Sequence, residues 1–385
     1  MRILAACEAP NTGLVRGSVE DSPSVRSAIE YALVEATAQA QCDCDAAYVV
    51  VAGTHITCAT GTGYAPIRNS ARGATFRDIS DALNATSSEN TPVDELILHA
   101  IPAGFSIDSG EPVKNPIRLP GELLTATTRI ISGSAPPLMR TARAVNSASV
   151  DVTEMVFAPL ACAEAALFED EKESGVCLLD IGSGTAGIAV YHRSLLQVAA
   201  SLPICGSHVT ADISFGLAMG RDAAEDLKLL AGHCCADLVG EYEVVESPAG
   251  EYKPPRLIRR KAIAQIVEPR MEELFQHAKT ILMDTGFFHW QDASVVITGG
   301  GAKITGCAYL ASQYFGVPAR VGGPGKLPGL PNAFTGPEYS AAVGLAQYAA
   351  KHTAIEISTT GGDDPLRAFY EQVVEMVKRR IGRTE

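Results

Sequence analysis

The residues best able to do chemistry are Asp180, Gly182, Ser183, Gly184 and Thr185, which end the apolar run Val176-Cys177-Leu178-Leu179. That run reads as a buried strand. Ile188-Ala189-Val190-Tyr191 reads as a second strand, so the glycine turn closes a hairpin. Glycines at 182 and 184 let the backbone approach a ligand and aim several N–H groups into one concavity. Thr185 adds a hydroxyl, and Asp180 at the strand end can hold the water shell of Mg²⁺. These parts suit the phosphates of a nucleotide. A P-loop would instead open a helix and carry Gly-Lys-Ser or Gly-Lys-Thr, and neither feature is present.

A matching element follows the apolar run Val295-Val296-Ile297-Thr298, which leads into Gly299, Gly300, Gly301 and then Lys303. A helix is expected from about 305 to 315. Three consecutive glycines leave bare backbone for an adenosine to lie against, and the helix N-terminus favours anionic groups. Between the two turns, Glu225 and Lys228 are i, i+3 neighbours on an expected helix. They form either a solvated ion pair or hydrogen-bonding groups for a ribose or an adenine edge.

The order is a hairpin with Asp-x-Gly-x-Gly-Thr, a Glu-x-x-Lys helix, and a triple-glycine turn before a closing helix. It resembles the actin-like ATPase superfamily. Segments 157–161, 175–191, 202–213, 266–270, 298–306 and 339–345 are similar to the FtsA family of bacterial cell-division proteins, as are Asn115-Pro116 and 49–56. The resemblance covers most of the chain. It implies an α/β, actin-like ATPase fold: two ribonuclease-H-like cores flank a nucleotide cleft, with an FtsA-type extra subdomain and a C-terminal amphipathic helix. ATP and Mg²⁺ are the implied cofactors, and Gly206 and Lys303 join the implied nucleotide site.

On this resemblance, residues 1–60 and 336–355 form the first core (1A) and 61–148 the extra subdomain (1C). Residues 149–222 and 281–335 form the second core (2A), and 223–280 a capping, partner-binding subdomain (2B). A linker at 356–363 precedes the helix at 364–385. Local patterning places helices near 22–40, 76–84 and 138–145, and strands near 47–52, 96–101 and 124–131.

Three departures from the family pattern bear on turnover. No acidic-x-Gly-Thr turn occurs near the start, where the superfamily carries its first phosphate loop. The segment from Met1 to Ala9 resembles the strand after that loop, so either the start codon is placed downstream of the true one or the chain has lost half its phosphate clamp. Gly187 replaces an acidic or amide residue, and Ala158 stands where chaperone relatives carry a glutamate. Hydrolysis needs an oriented water and charge clamps around the γ-phosphate, so at most a slow ATPase is expected.

Bulk properties fit a cytoplasmic protein that does not bind nucleic acid. The chain has 385 residues, 46% of them apolar, and a net charge of −13, which excludes global disorder and argues against nucleic-acid binding. Its ten cysteines show no Cys-x-x-Cys spacing and are expected as buried, reduced thiols. No apolar run approaches the ~18 residues needed to span a bilayer.

The C-terminus carries an independent signal. After a polar linker containing Gly361 and Gly362, Asp364 and Pro365 suit a helix start. Leu366, Phe369, Tyr370, Val373, Val374, Val377 and Ile381 then recur at spacings of three and four. Lys378 and Arg379 face away, and residues 366–385 hold five Arg/Lys against three Glu. A basic amphipathic tail on an acidic protein fits an anionic membrane surface.

The basic stretch 254–261 and the helix after it suggest a partner site. The resemblance implies that Arg256, Arg260 and Arg270 receive the C-terminal peptide of the tubulin-like protein FtsZ, since arginine can fork onto a carboxylate. It further implies self-assembly into filaments, recruitment of other division proteins, and a place on the cytoplasmic face of the inner membrane at the septum. Competing readings are an adaptor of type IV pilus assembly and a soluble phosphotransferase or chaperone on the same core.

Overall fold

The computed structural model describes residues 1–86, 94–247 and 255–358, with Glu371 and Glu375. The tail residues Leu366, Phe369, Tyr370, Val373, Val374, Val377, Lys378, Arg379 and Ile381 lie outside the described residues.

The chain opens with a small hairpin of β1 (Leu14–Val15) and β2 (Ser18–Val19), followed by α1 (Ser22–Ala40). Asp21 starts that helix by accepting from the Ser24 N–H, and a proline in the first turn suits the free N–H groups there. Contrary to expectation, residues 1–9 are not a strand. Ile3 donates one hydrogen bond to the Pro328 carbonyl, and no neighbouring strand continues a ladder.

Next come β3 (Ala46–Val51), β4 (Ile56–Pro66), α2 (Phe76–Thr86), β5 (Glu95–Ile107), β6 (Leu123–Ser134) and α3 (Ala135–Asn146). Strands β4, β6 and β5 form an antiparallel sheet in that order. Helix α2 covers one face of it around Ile79, Ala82 and Leu83, a core separate from the rest. This insert returns through β7 (Asp151–Phe157), which pairs in parallel with β3.

Beyond α4 (Ala158–Ala166) and α5 (Glu169–Ser174), the chain builds the second core. Its strands are β8 (Val176–Ile181), β9 (Ala186–His192) and β10 (Leu195–Leu202). Helices α6 (Gly206–Gly216) and α7 (Arg221–Ala231) follow. A two-stranded ribbon, β11 (Val244–Glu246) and β12 (Leu257–Arg259), precedes the long α8 (Arg260–Thr285). Then come β13 (Ser294–Thr298), α9 (Cys307–Phe315), β14 (Ala319–Val321) and α10 (Ser340–Ser358).

The five-stranded sheet has the order β10-β9-β8-β13-β14, antiparallel on one side and parallel on the other. Both faces are buried, which is why its central strands read as unbroken apolar runs. Cys177, Leu179 and Ile181 face the core beneath α6 to α9. Val176 and Leu178 face the core shared with α4, β7 and the insert. The period-two alternation thus divides one strand between two cores.

Gly187 is explained by this packing. A Cβ there would lie 2.5 Å from Pro159 Cγ, so the departure from the family pattern lets α4 sit close on β9. Six of the ten cysteines are buried as expected, while Cys42 and Cys44 are exposed and all ten are free thiols. No helix among the described residues is long and apolar enough to cross a membrane.

At the seam of insert and first core, the buried His99 accepts from the Phe157 N–H at 3.1 Å through Nε2. Burial, and then the charge of His352, lowers its pKa to about 3. The unfolded imidazole binds a proton below its ordinary 6.5 and the folded one does not, so stability is full above that value and falls as pH drops toward 3. At pH 5 the loss from this group is about 2 kcal/mol. His99→Gln keeps an acceptor without a titrating group, and its thermal midpoint should fall less than the wild type's between pH 7 and 5. Parallel pH curves for the two proteins would refute this account.

Candidate functional site

The two glycine turns meet. β8 and β13 pair in parallel with Thr298 opposite Asp180, so both strands deliver their turns to the same edge. Ligands of open α/β sheets bind beyond the carboxyl ends of such strands. Contact between the turns is close: a Cβ on Gly299 would lie 2.6 Å from Asp180 Oδ1, and one on Gly301 2.4 Å from Ile181 Cγ2. Only glycine permits this approach. Gly300 has nothing within 4 Å of its Cβ position, so its surface is open to a ligand.

The first turn is braced from within. The Gly182 N–H bonds to the Thr185 carbonyl at 2.9 Å. The Gly182 and Ser183 carbonyls accept from Gly206 and Ser207 at 2.9 and 2.8 Å, which ties the turn to the start of α6. Among the described residues, the N–H groups of Ser183 and Gly184 have no backbone acceptor. They are left to face an anion.

Asp180 stands at the end of β8, half-buried and without an ion-pair partner among the described residues. Burial pushes its carboxyl up to about 6, and a hydrogen bond from the Cys162 thiol only partly offsets this. A carboxylate held without a counter-charge suits a hydrated cation, and the residues present fit Mg²⁺ held through water. No cluster of three or more metal-ligating side chains occurs among the described residues.

Glu225 and Lys228 lie on α7 as expected and pair with each other at 2.7 Å. Lys228 is buried, and its ammonium also reaches Thr210 Oγ1 at 3.0 Å and the Gly206 carbonyl at 3.4 Å. All three donors therefore point into protein. Its ammonium thus ties Glu225 to Thr210 and the Gly206 carbonyl. Lys303 is turned outward to Glu338 at 2.7 Å.

Sequence reasoning missed the opposite wall. The β1–β2 turn places Arg16 Cα 3.4 Å from where a Gly184 Cβ would be, and Gly17 against Ala52 and Thr185. A small cavity between them is lined by Arg16, Gly53, Thr54, Gly184, Thr185 and His208. Arg16-Gly17 sits between Leu14-Val15 and Ser18-Val19, and two-residue strands carry no measurable period.

The three arginines expected to meet a partner are committed to internal contacts. Arg270 forks onto Asp212 at 2.6 and 3.0 Å. Arg260 reaches Glu243 at 3.0 Å and the Ala231 carbonyl at 3.3 Å. Arg256 donates to the Leu217 carbonyl. Tyr242, Val244 and Leu257 stand exposed on and beside the β11–β12 ribbon, with Arg259 alongside.

Comparison with known proteins agrees with this architecture. The family profile for cell division protein FtsA matches residues 177–344, and that for the SHS2 domain inserted in FtsA matches 53–132. The chain is 32% identical over 374 residues to the cell division protein FtsA of Pseudomonas aeruginosa, covering 97% of this chain and 89% of that one. It is 33% identical over 355 residues to FtsA of Escherichia coli K12, covering 90% and 84%. A structure of the PilM–PilN type IV pilus biogenesis complex superposes with a TM-score of 0.60 at 17% identity, covering 89% of this chain and 90% of that one, and so shares the fold. Motif order, the joined glycine turns and identity over nearly the whole length converge: this chain belongs to the FtsA family of cell division proteins and has the actin-like ATPase fold.

Proposed function

We propose that this chain is an ATP-binding, filament-forming adaptor that tethers the FtsZ ring to the cytoplasmic face of the inner membrane and recruits later division proteins. The observation that carries the reading is the convergence of the 182–185 and 299–301 turns on one strand edge. The free N–H groups of Ser183 and Gly184 would take the phosphates, Asp180 would hold Mg²⁺ through water, and the open surface at Gly300 would take the nucleoside. Bound nucleotide supplies the charge that draws the two cores together. In that closed form, head-to-tail contacts extend without closing on themselves. Turnover is slow, because Ala158 offers no carboxylate to orient a water.

The division into 1A, 1C, 2A and 2B follows the boundaries given above. In 2B, the internally paired Arg256, Arg260 and Arg270 shape the surface, and Tyr242, Val244 and Leu257 give the FtsZ peptide its apolar contact. Residues 364–385 lie in the membrane interface. One such helix attaches weakly, and a filament presenting many gains avidity without any new contact. The pilus reading has only the shared fold behind it, whereas the 32–33% identities are to division proteins.

The test is co-sedimentation with vesicles containing anionic lipid, in Mg-ATP. The full chain should pellet with vesicles, carry FtsZ polymers with it and release at high salt. Deletion of residues 364–385 should leave it in the supernatant, and pelleting unchanged by that deletion would overturn the tether.

A further inference from the structure

Beside the small cavity at Gly184, with which it shares Thr54, the insert meets the second core around a cavity of about 600 Å³. Strands β4 and β6 form one wall, β10 another, and the C-terminal end of α8 a third. Its volume falls within the roughly 300–1,000 Å³ of small-molecule sites. Nothing in the nucleotide or membrane reading uses it.

Two charges line it without ion-pair partners among the described residues. Arg129, half-buried on β6, donates one guanidinium N–H to Thr60, while its enclosed Nε has no acceptor. Burial lowers its pKa, as it does for a cation short of solvent and counter-charge. Among the described residues, no carboxylate pairs with Arg129 and no cation pairs with Asp284. Nor do the two pair with each other, although both line one cavity. Asp284 sits in the last turn of α8, where the helix carbonyls add negative potential. One wall thus favours an anion and another a cation, with Ile56, Val198 and Ile281 between them.

We propose that this cavity binds a small zwitterion of the amino-acid or short-peptide class, its carboxylate on Arg129 and its ammonium on Asp284. A guanidinium can fork onto a carboxylate through its terminal N–H groups. Asp284 and the end of α8 take the ammonium. A polyanion is disfavoured, because Asp284 and the helix carbonyls repel it. Bound ligand bridges insert and second core and strengthens their contact.

Titration calorimetry on the full chain tests this with alanine, dialanine and trialanine. The controls are N-acetyl-dialanine, which lacks the ammonium, and dialanine amide, which lacks the carboxylate. At least one free probe should bind and raise the thermal midpoint, with each blocked form weaker by about tenfold or more. Arg129→Gln should abolish the preference for the free carboxylate, and Asp284→Asn the preference for the free ammonium. Asp284 is exposed, so its variant keeps the fold even if Arg129→Gln does not, and Arg129→Lys preserves the charge. Blocked forms binding as well as the free peptide, or no heat from any probe up to about 10 mM, would overturn the proposal. Affinity unchanged in Asp284→Asn would do the same.

Discussion

Asp180→Asn should lose Mg²⁺-dependent nucleotide binding, by about tenfold to hundredfold, and at the same time raise the stability of the nucleotide-free protein. The two effects have one cause. The folded carboxyl has its pKa raised to about 6 from an ordinary 3.8, because burial disfavours the charge. The folded state therefore holds the proton more tightly than the unfolded chain. Its favourable contribution is complete below pH 4 and is lost as pH rises through 6. At pH 7.5 the ionised carboxylate costs the apo protein about 1–3 kcal/mol, the lower part of the range applying because the residue still reaches solvent. Asparagine removes that cost together with the charge that attracts the cation. Urea unfolding at pH 7.5 and pH 4 measures the first effect, and nucleotide titration with and without Mg²⁺ the second. A variant no more stable than wild type at pH 7.5 would show that Asp180 is not held against its charge.

Gly344→Val should be the most damaging single change away from the glycine turns. Helix α10 lies against the alanine-rich α4 so closely that a Cβ at 344 would sit 1.9 Å from the Ala161 carbonyl oxygen. That atom is backbone and cannot swing aside. Either the helices separate, opening the core that Leu160, Ala161 and Leu345 share, or the substitution is not accommodated. Overpacking of this kind costs about 3 kcal/mol or more. The measurement is the urea midpoint, with Gly344→Ala as the smaller step. A midpoint within experimental error of wild type would mean that α10 is not seated as described.

Much of the fold was legible because it rests on local signals. The 176–192 hairpin, the 294–298 strand and the helix from Ser22 to Ala40 each carry an apolar pattern bounded by glycine or a capping residue. The meeting of the two glycine turns was legible only through the family resemblance, since no local rule sets β8 beside β13 across more than a hundred residues. What stayed hidden depends on partners distant in sequence. The sequence leaves Lys228 either paired with Glu225 or facing a ligand, and its donors go to Thr210, Glu225 and Gly206. Arg270 reads as a free cation until Asp212, 58 residues earlier, is brought under it. Residues 1–9 resemble a family strand in sequence but form none. The Cys162 contact beneath Asp180 has no sequence signature at all.

Helix α10 begins at Ser340, whose hydroxyl accepts from Thr298 at 2.6 Å, next to Gly299, whose N–H bonds the Pro337 carbonyl. From there it runs 19 residues, about 28 Å, toward the segment expected to hold lipid. One rod thus reaches from beside Gly299 toward the polar linker that precedes the tail. On the proposed tether, a pull from the membrane would meet that linker before it reached the strand end at Thr298.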